Sequence, residues 1–432
     1  MYFLHLAVCK FLGSIFNQPA TQIKPNVKNE SRFKMAKKLR ISAVAALLAL
    51  AFLFGGAEAL LPDSLSIAGA YNVAAAVDER LSLPACTATV EDNNAVVKLL
   101  GVLPVKKVAL NVLELGEVYP GGMAFGVKFF TEGVLVVGLN DIVGFSGTFC
   151  PAREAGIRKG DIILSINGAP TTGANALRDT VAASDGNALL MEIKREGEIF
   201  TTTLYPVLCD ESNSYLAGLW VRDSTAGIGT VTYVNAKDLS FGGLGHGICD
   251  SDTGAIMPLG KAVVVDVDIN GVRRGEKGAP GELKGSFGKV KRGVIDQNTE
   301  TGVYGTLNEL PSTLKAPMPI GLSHELKEGK AFIYTTLEGN VPEKFEIEIE
   351  KIYKNSGSTK NMMIKVTDPK LLRATGGIVQ GMSGSPIIQN GKLVAAVTHV
   401  LIDDPTRGYG IFIENMLSTA YEADVQEPYK AA

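Results

Sequence analysis

The stretch from residue 375 to 409 reads TGGIVQGMSGSPIIQNGKLVAAVTHVLIDDPTRGY and holds the most specific pattern in the chain. At its centre, Ser383 stands between Gly381-Met382 and Gly384. This arrangement suits a nucleophile on a tight turn, because glycine adopts backbone torsions that a side chain forbids. The N–H groups of Gly381 and Ser383 are then free to converge on one point, as in an oxyanion hole. Taken alone, the motif is equally compatible with an ordinary surface turn.

A β-hairpin follows the serine. Two apolar runs, 386–388 and 392–397, flank Asn390-Gly391, a dipeptide that strongly indicates a hairpin turn. The order of serine, hairpin and following strand resembles the nucleophile region of trypsin-like proteases nearly position for position. In those enzymes that strand pairs with the substrate backbone. The resemblance therefore implies that Thr398 and His399 bind substrate.

Composition favours a folded, β-rich protein. The 432 residues are enough for two or three domains, and 46% are hydrophobic and 20% charged. The 48 glycines and the low aromatic content of 7% favour turn-dense β architecture. A net charge of −3 gives no electrostatic footprint for nucleic acid, so no nucleic-acid partner is expected.

The five cysteines do not indicate a metal site. Cys9, Cys86, Cys150, Cys209 and Cys249 show no CxxC or other metal-ligand spacing, and we predict neither a metal nor a cofactor. Disulfides are compatible with export, but spacing does not pair these residues. Buried free thiols explain them equally well.

The N-terminal region has the arrangement of an export signal. A basic segment, 35–40, precedes a nearly continuous apolar run over 41–54, and Ala57-Glu58-Ala59 supplies small residues for cleavage. The run extended to Leu61 is just long enough to cross a bilayer, so residues 41–61 are either a cleaved signal or an anchor. Both interpretations predict that the rest of the chain is exported. We interpret residues 1–34 as a misassigned or disordered extension.

Residues 155–168, AGIRKGDIILSING, resemble a PDZ domain of the bacterial protease type. PDZ domains bind a peptide as an added strand, often capturing its carboxylate on a glycine-rich loop. We assign that loop to Gly121, Gly122 and Gly126, with Phe125 lining the groove. The peptide ligand could be a segment of the chain itself. The alternative is a PDZ domain that packs as a scaffold and binds nothing.

The rest of the chain reads as one all-β unit of many short strands, exemplified by FEIEIEKIY at 345–353. The predicted fold class is mainly β, with a PDZ domain followed by a trypsin/chymotrypsin-like double β-barrel serine peptidase domain and preceded by an N-terminal signal or anchor helix. The predicted boundaries are extension 1–34, signal or anchor 35–61, linker and N-terminal strands 62–113, PDZ 114–208, peptidase 209–425 and tail 426–432.

A serine nucleophile needs a base. Of the four histidines, His5 lies in the extension, His324 in a polar segment and His399 on the expected substrate strand. His246, flanked by glycines after an apolar strand, is the best candidate. A neutral imidazole also needs an acceptor on its second nitrogen. Spacing does not choose among Asp250, Asp252, Asp266, Asp268, Asp296 and Asp368.

Three features together resemble the SpoIVB peptidase family of sporulation serine peptidases, from Met35 to the end of the chain. They are LGHGICDSDTG at 244–254, the long segment 366–417, and a PDZ domain between these and the export signal. The resemblance implies an exported endopeptidase of the forespore intermembrane space. It would cleave itself and a regulatory partner of a membrane metalloprotease, triggering late mother-cell sigma-factor activation.

Carried onto this chain, the catalytic residues of the family are His246, Asp368 and Ser383. A structural aspartate opening an Asp-Pro turn is the alternative for Asp368. Trypsin places an acid six residues before its nucleophile, where this chain has Gly377. Gly377 is thus the expected pocket floor, and the enzyme should not require Lys or Arg before the scissile bond. The rival hypothesis is a non-catalytic PDZ adaptor with a degenerate protease domain.

Overall fold

The computed structural model describes residues 27–69, 73–81, 83–113, 116–353 and 359–426. Most of the extension predicted at 1–34, including His5 and Cys9, lies outside the described residues. So does the tail beyond residue 426.

One long helix, α1 (Val27–Leu60), opens the described chain. Its segment Lys37–Leu60 has a mean hydropathy of 2.1 over its most apolar window. At about 1.5 Å per residue this segment is long enough to cross the hydrocarbon core of a bilayer. The helix therefore fits a signal or a membrane anchor, as the sequence predicted.

Residues 64–113, expected to be linker and strands, form a small α/β unit. Its sheet has the order β1-β4-β3-β2, with β1 parallel to β4 and the other pairs antiparallel. One side of the sheet packs on helix α2 around Ile67, Val77, Leu81 and Val97. The elements are β1 (Ser64–Ala68), α2 (Val73–Leu81), β2 (Cys86–Glu91), β3 (Asn94–Leu99) and β4 (Leu103–Leu113).

Two β-barrels follow, which confirms the predicted fold class. The first barrel closes because β6 pairs with both β17 and β15, and its core includes Phe125, Phe129 and Phe241. In barrel order its strands are β6 (Ala124–Leu139), β17 (Leu259–Arg273), β18 (Glu282–Thr299), β19 (Gly302–Leu307), β16 (Ser240–Gly243) and β15 (Leu219–Val234). Two short strands, β5 (Glu117–Pro120) and β20 (Met318–Pro319), extend the sheet beyond β15.

The second barrel is closed in the order β21-β22-β23-β26-β25-β24. Asn390 (φ 53°) and Gly391 (φ 76°) turn β24 into β25, as the Asn-Gly dipeptide predicted. Its elements are β21 (Gly329–Thr335), β22 (Glu343–Ile352), β23 (Met362–Val366), β24 (Pro386–Gln389), β25 (Lys392–Leu401) and β26 (Asp404–Phe412). Two further helices flank it, over Pro369–Thr375 and Ile413–Gln426, and a 3-10 turn covers Ser323–Glu325.

The PDZ unit is inserted into the first barrel between β6 and β15. Its remaining elements are β7 (Ile142–Gly144), β8 (Gly147–Phe149), α3 (Pro151–Glu154), β9 (Ile162–Ile166), β10 (Ala169–Pro170), α4 (Ala174–Ala182), β11 (Leu189–Arg195), β12 (Glu198–Leu204), β13 (Val207–Leu208) and β14 (Tyr215–Leu216). The helix over Pro369–Thr375 is α5 and that over Ile413–Gln426 is α6.

Strand pairing divides the chain differently from the sequence-based boundaries at 114 and 209. The first half of β6 pairs with β17 in the barrel, whereas Val134 and Leu135 pair with β9 of the PDZ unit. Gly133 (φ 70°) lies where β6 passes from the barrel to the PDZ unit. Only glycine fits there, because a Cβ would lie 2.5 Å from the Ile163 carbonyl oxygen of β9. Two continuous strands thus join the PDZ unit to the barrel.

Candidate active site

Ser383 lies on the tight turn that the sequence predicted. Gly381 (φ 97°) and Gly384 (φ 94°) are both in the left-handed region that favours glycine. A Cβ at Gly384 would lie 2.1 Å from the Thr230 carbonyl oxygen, so only glycine fits. The turn is therefore pressed against β15 of the first barrel, and Ser383 sits where the two barrels meet.

Two backbone donors beside the Ser383 hydroxyl are unused. Within the described residues, neither the Gly381 N–H nor the Ser383 N–H donates a hydrogen bond. The next two amides are occupied, since Gly384 N–H donates to Val397 (2.7 Å) and Ser385 N–H to Met382 (2.9 Å). Free donors next to a hydroxyl are what an oxyanion hole requires, and their assignment to that role stays a prediction.

Two buried threonines on β15 hold this turn, and sequence reasoning missed them. The Thr230 hydroxyl donates to the Gly381 carbonyl (2.7 Å), and the Thr230 N–H donates to the Ser383 carbonyl (3.0 Å). The Thr232 hydroxyl donates to the Gly384 carbonyl (2.8 Å). In the sequence, Thr-Val-Thr looks like an ordinary β-branched strand, so only the structure reveals their partners.

We expect Thr230→Val to lower peptidase activity about ten- to a hundredfold. The reason is that the backbone peptide group containing the Gly381 carbonyl, which lies between the N–H groups of Gly381 and Ser383, loses its fixed orientation. The unpaired Gly381 carbonyl should also cost about 1–3 kcal/mol of stability. Thr232→Val is the matched control, since it loses an equivalent bond at an amide outside the expected oxyanion hole. Activity and thermal unfolding of both variants check this; equal activity losses would contradict it.

His246 is brought towards the same place by a left-handed turn. Leu244 (φ 65°) and Gly245 (φ 69°) reverse the chain after β16. A Cβ at Gly245 would lie 2.9 Å from Thr398 Cγ2, so the histidine loop contacts the expected substrate strand directly. The Ser383 hydroxyl donates to the Thr398 carbonyl (2.8 Å). Thr398 is therefore the point on which the serine turn and the histidine loop converge.

The His246 imidazole already has a backbone partner. Its Nδ1 lies 2.9 Å from the Gly247 carbonyl oxygen, which can only accept, so Nδ1 carries the proton and Nε2 is the free base. Burial lowers the pKa of His246, which keeps the ring neutral. Within the described residues the Ser383 hydroxyl bonds to Thr398 and not to His246. Rotation of the serine side chain must therefore precede proton transfer.

His399 lies beside His246, with the ring centroids 5.0 Å apart and the planes inclined by 37°. Burial first, and then the charges of His246 and Lys360, lower the pKa of His399 to about 4. The ring is thus neutral at physiological pH. Its Nδ1 is buried without a hydrogen-bond partner among the described residues. The position of Thr398 and His399 next to both Ser383 and His246 supports the predicted substrate-binding role, which remains to be tested.

In the structure the Asp368 carboxylate has local backbone partners. Asp368 caps α5: its Oδ1 accepts from the N–H groups of Lys370 (2.8 Å) and Leu371 (3.2 Å). Its Oδ2 accepts from Glu346 N–H (3.3 Å). The Asp-Pro sequence favours this local role, because Asp at the N-cap followed by Pro is a strong helix start. In this arrangement the Gly247 carbonyl holds Nδ1 of His246, and the role of Asp368 as the orienter of the base stays a prediction.

Asp368 can be tested through its cap. We expect Asp368→Ala to lose about 1 kcal/mol of stability, whereas Asp368→Asn, also a good cap, should lose less. Peptidase activity of the Asn variant should stay close to wild type. Thermal unfolding and peptide hydrolysis of both variants measure this. If a folded Asn variant lost several orders of magnitude of peptidase activity, Asp368 would be shown to orient the base.

Three of the other candidate aspartates are bound by arginines. Asp250 is buried and bound by Arg222, which also donates to Asp252 (2.7 Å). Asp266 accepts from Arg292 (2.7 Å). Because the Lys159 ammonium of the PDZ unit donates to the Asp252 carbonyl (2.5 Å), the loop that follows His246 is tied both to β15 and to the PDZ unit.

Gly377 is buried against β26. A Cβ there would lie 2.1 Å from the Pro405 carbonyl oxygen, and its own carbonyl accepts from the Thr375 hydroxyl. Its φ of 145° adds to the demand for glycine. The structure thus explains why residue 377 is glycine without reference to substrate. Its role as pocket floor stays a prediction.

The four residues predicted to form the PDZ loop belong to the first barrel instead. A Cβ at Gly121 would meet the Val231 carbonyl oxygen at 2.0 Å, and one at Gly122 would meet Tyr334 at 2.6 Å. Phe125 is 1% exposed and packs edge-to-face on Phe241, with centroids 6.0 Å apart. Gly126 faces Phe287. These residues pack the peptidase interior, so their assignment to a peptide-binding groove is corrected.

Comparisons with known proteins agree with this architecture. Residues 213–417 match the family model described as SpoIVB peptidase S55, and residues 147–195 match a PDZ domain. A putative zinc metalloprotease, CPE1693 of Clostridium perfringens, is 38% identical over 69 residues. The match covers 16% of this chain, and it spans only about a fifth (20%) of the length of that relative.

Solved structures of the Rv3671c protease of M. tuberculosis are also similar. The inactive form has 14% identity and a TM-score of 0.27, covering 47% of this chain and 85% of that one. The active form has 15% identity and the same TM-score of 0.27, covering 48% and 75%.

Proposed function

This chain belongs to the SpoIVB peptidase family and is a serine peptidase of sporulation, and from that premise we propose that it cleaves itself and a regulatory partner of a membrane metalloprotease. This cleavage would trigger late mother-cell sigma-factor activation. The observation that carries the proposal is that two elements meet at Thr398: the Ser383 turn, which has two unused amides, and the loop of a neutral, partly buried His246.

The proposed mechanism is acyl transfer. His246 Nε2 takes the hydroxyl proton as Ser383 Oγ attacks the substrate carbonyl carbon. The N–H groups of Gly381 and Ser383 receive the developing oxyanion. His246 then gives its proton to the leaving amine, and water releases the acyl-enzyme with the same base. Throughout, the Gly247 carbonyl keeps the proton of Nδ1 in place.

An open strand edge supports an extended peptide as the substrate. His399 and Val400 of β25 pair with β26 on one side, whereas β24 pairs only as far as Ala396 on the other. Within the described residues the second edge next to Ser383 is therefore unpaired. A substrate backbone added there would place its scissile carbonyl beside the nucleophile.

The PDZ unit supports recognition of a second peptide. Residues 219–222 of β15 pair with β6 on one side, and α4 lies near the other. We propose this edge for the peptide ligand, in place of the glycines corrected above. Because the same strand carries Arg222, which binds the loop following His246, an occupied groove would act on the active site through a direct contact.

The proposed location is the forespore intermembrane space. Support comes from α1, whose apolar segment Lys37–Leu60 fits either an export signal or an anchor. An exported enzyme held at a membrane surface is well placed to meet a membrane metalloprotease complex.

The test is to incubate purified protein with the purified exported segment of a metalloprotease regulator. We expect the wild type to cleave both itself and that segment, and Ser383→Ala to cleave neither. Equal processing by both proteins would eliminate the peptidase mechanism. Self-cleavage without cleavage of the regulator would eliminate the proposed partner alone.

A further inference from the structure

An exposed apolar tip closes the hairpin of β3 and β4. We define it as Leu100-Gly101-Val102-Leu103. The side chains of Leu100, Val102 and Leu103 are 65%, 77% and 43% exposed. Hairpin turns are usually polar, and three adjacent large apolar side chains on one turn indicate an interaction site.

The apolar tip and the C-terminal end of α1 lie at the same end of the N-terminal sheet. The Lys106 ammonium on β4 donates to the Leu61 carbonyl (2.8 Å), directly after α1, and pairs with Asp63 (2.7 Å). Strand β1 then runs parallel to β4, away from the tip, with Ser64 opposite Ala109. The N-terminal ends of these two parallel strands therefore point the same way. The chain before β1 is α1, and the chain before β4 is the apolar tip.

Strand geometry gives the distance between these features. At about 3.3 Å per residue, Val102 lies roughly 13 Å from Lys106, on the side of α1. The last turns of α1 contact the domain there, since Ala57 and Leu61 are buried and the helix packs on β4. The apolar tip thus stands beside the C-terminal end of the apolar helix.

The charged residues of the sheet are distributed as expected if the apolar tip faces a membrane. The opposite end of the sheet carries the turn from Glu91 to Asn93, which is acidic and exposed. Lys107, behind the apolar tip, is exposed and suits the anionic headgroups of a bilayer. An apolar end next to a helix long enough to span a membrane fits a bilayer better than a protein groove.

We propose that the apolar tip is a membrane-contact site, at which Leu100, Val102 and Leu103 insert into the interfacial region of the bilayer that holds α1. This inference goes beyond the proposed function and rests on the anchor alternative within it, in which α1 stays in the bilayer. A second contact beside the helix fixes the orientation of the domain on the membrane, as paired membrane signals do. The occupant is lipid, and no second protein is required.

The experiment uses the full chain reconstituted in vesicles at a low protein-to-lipid ratio. The single native tryptophan, Trp220, is 63% exposed on the PDZ unit and serves as the control. The reporter is Val102→Trp in a Trp220→Phe background. In vesicles of lipids brominated in the upper acyl chain, the introduced tryptophan should lose most of its fluorescence and emit at shorter wavelength. Trp220 of the wild type should change little.

Leu100→Trp in the same background provides a second reporter with the same expected result. Both substitutions alter exposed side chains, and thermal unfolding compared with the wild type confirms that each variant is folded. An introduced tryptophan quenched no more than Trp220 would overturn the proposal, because the tip would then lie in water or on another protein copy.

Discussion

Ser383→Ala should abolish peptide hydrolysis, lowering kcat by about a millionfold, as expected when a catalytic nucleophile is removed. The Ser383 hydroxyl makes one hydrogen bond, to the Thr398 carbonyl, so its loss should cost little stability. The measurement is the rate of self-cleavage, together with hydrolysis of an extended peptide. The fold should survive because Gly381 and Gly384 keep the turn in place.

Ser385 provides a matched control for that variant. Its side chain is fully buried two residues further on, and its hydroxyl has no hydrogen-bond partner among the described residues. Ser385→Ala should therefore leave activity close to wild type. A Ser383→Ala protein that unfolds like the wild type and still hydrolyses peptide would contradict the assignment of the nucleophile.

His246→Gln should cause a loss of similar size, because the serine then has no base. Combining it with Ser383→Ala should add almost nothing, since residues acting as one unit are strongly non-additive. A double variant much slower than either single variant would show that the two residues act independently. Thermal unfolding distinguishes loss of the base from loss of the fold.

The wild-type pH profile tests the same histidine. Burial lowers the pKa of His246, and the neutral ring is the active form, so activity should fall only as the pH drops through a value below 6.5. The pKa of His399 is about 4, first because of burial and then because the charge of protonated His246 disfavours its protonation. An acidic limb of kcat/KM centred above 6.5 would contradict the lowered pKa.

The parts of the structure that the sequence predicted correctly were those fixed by local chemistry. Glycines around Ser383 require left-handed torsions, and Asn390-Gly391 specifies its hairpin whatever the rest of the chain does. The apolar segment of α1 follows from its length and composition and the β-rich content from strand patterning, whereas the double barrel was implied by the resemblance to trypsin-like proteases. His246 was chosen as the candidate base from its flanking residues, and Gly245 allows close approach to Thr398.

The errors arose where distant pairing decides the structure. Phe125 and Gly126 resemble a PDZ loop in sequence, but β6 pairs with β17, more than a hundred residues away along the chain. No local signal indicates that one strand serves two domains. Thr230 and Thr232 were missed for the same reason, because their partners lie about 150 residues further on.

Asp368 shows how a resemblance and a local motif can disagree. Its position relative to Ser383 matches the family, but Asp-Pro before an amphipathic segment also predicts an N-cap. In the structure both carboxylate oxygens accept from backbone amides, and Nδ1 of His246 is bonded to the Gly247 carbonyl. The role of Asp368 as the orienter of the base stays a prediction.

The central claim is that Ser383 is a nucleophile activated by His246. Labelling with a fluorophosphonate, followed by mass spectrometry of the digested protein, tests it most directly, because such reagents react with activated serines. The account predicts a single adduct, on the peptide containing Ser383, which disappears in His246→Gln. An adduct on another serine, or equal labelling of Ser383 in His246→Gln, would contradict it.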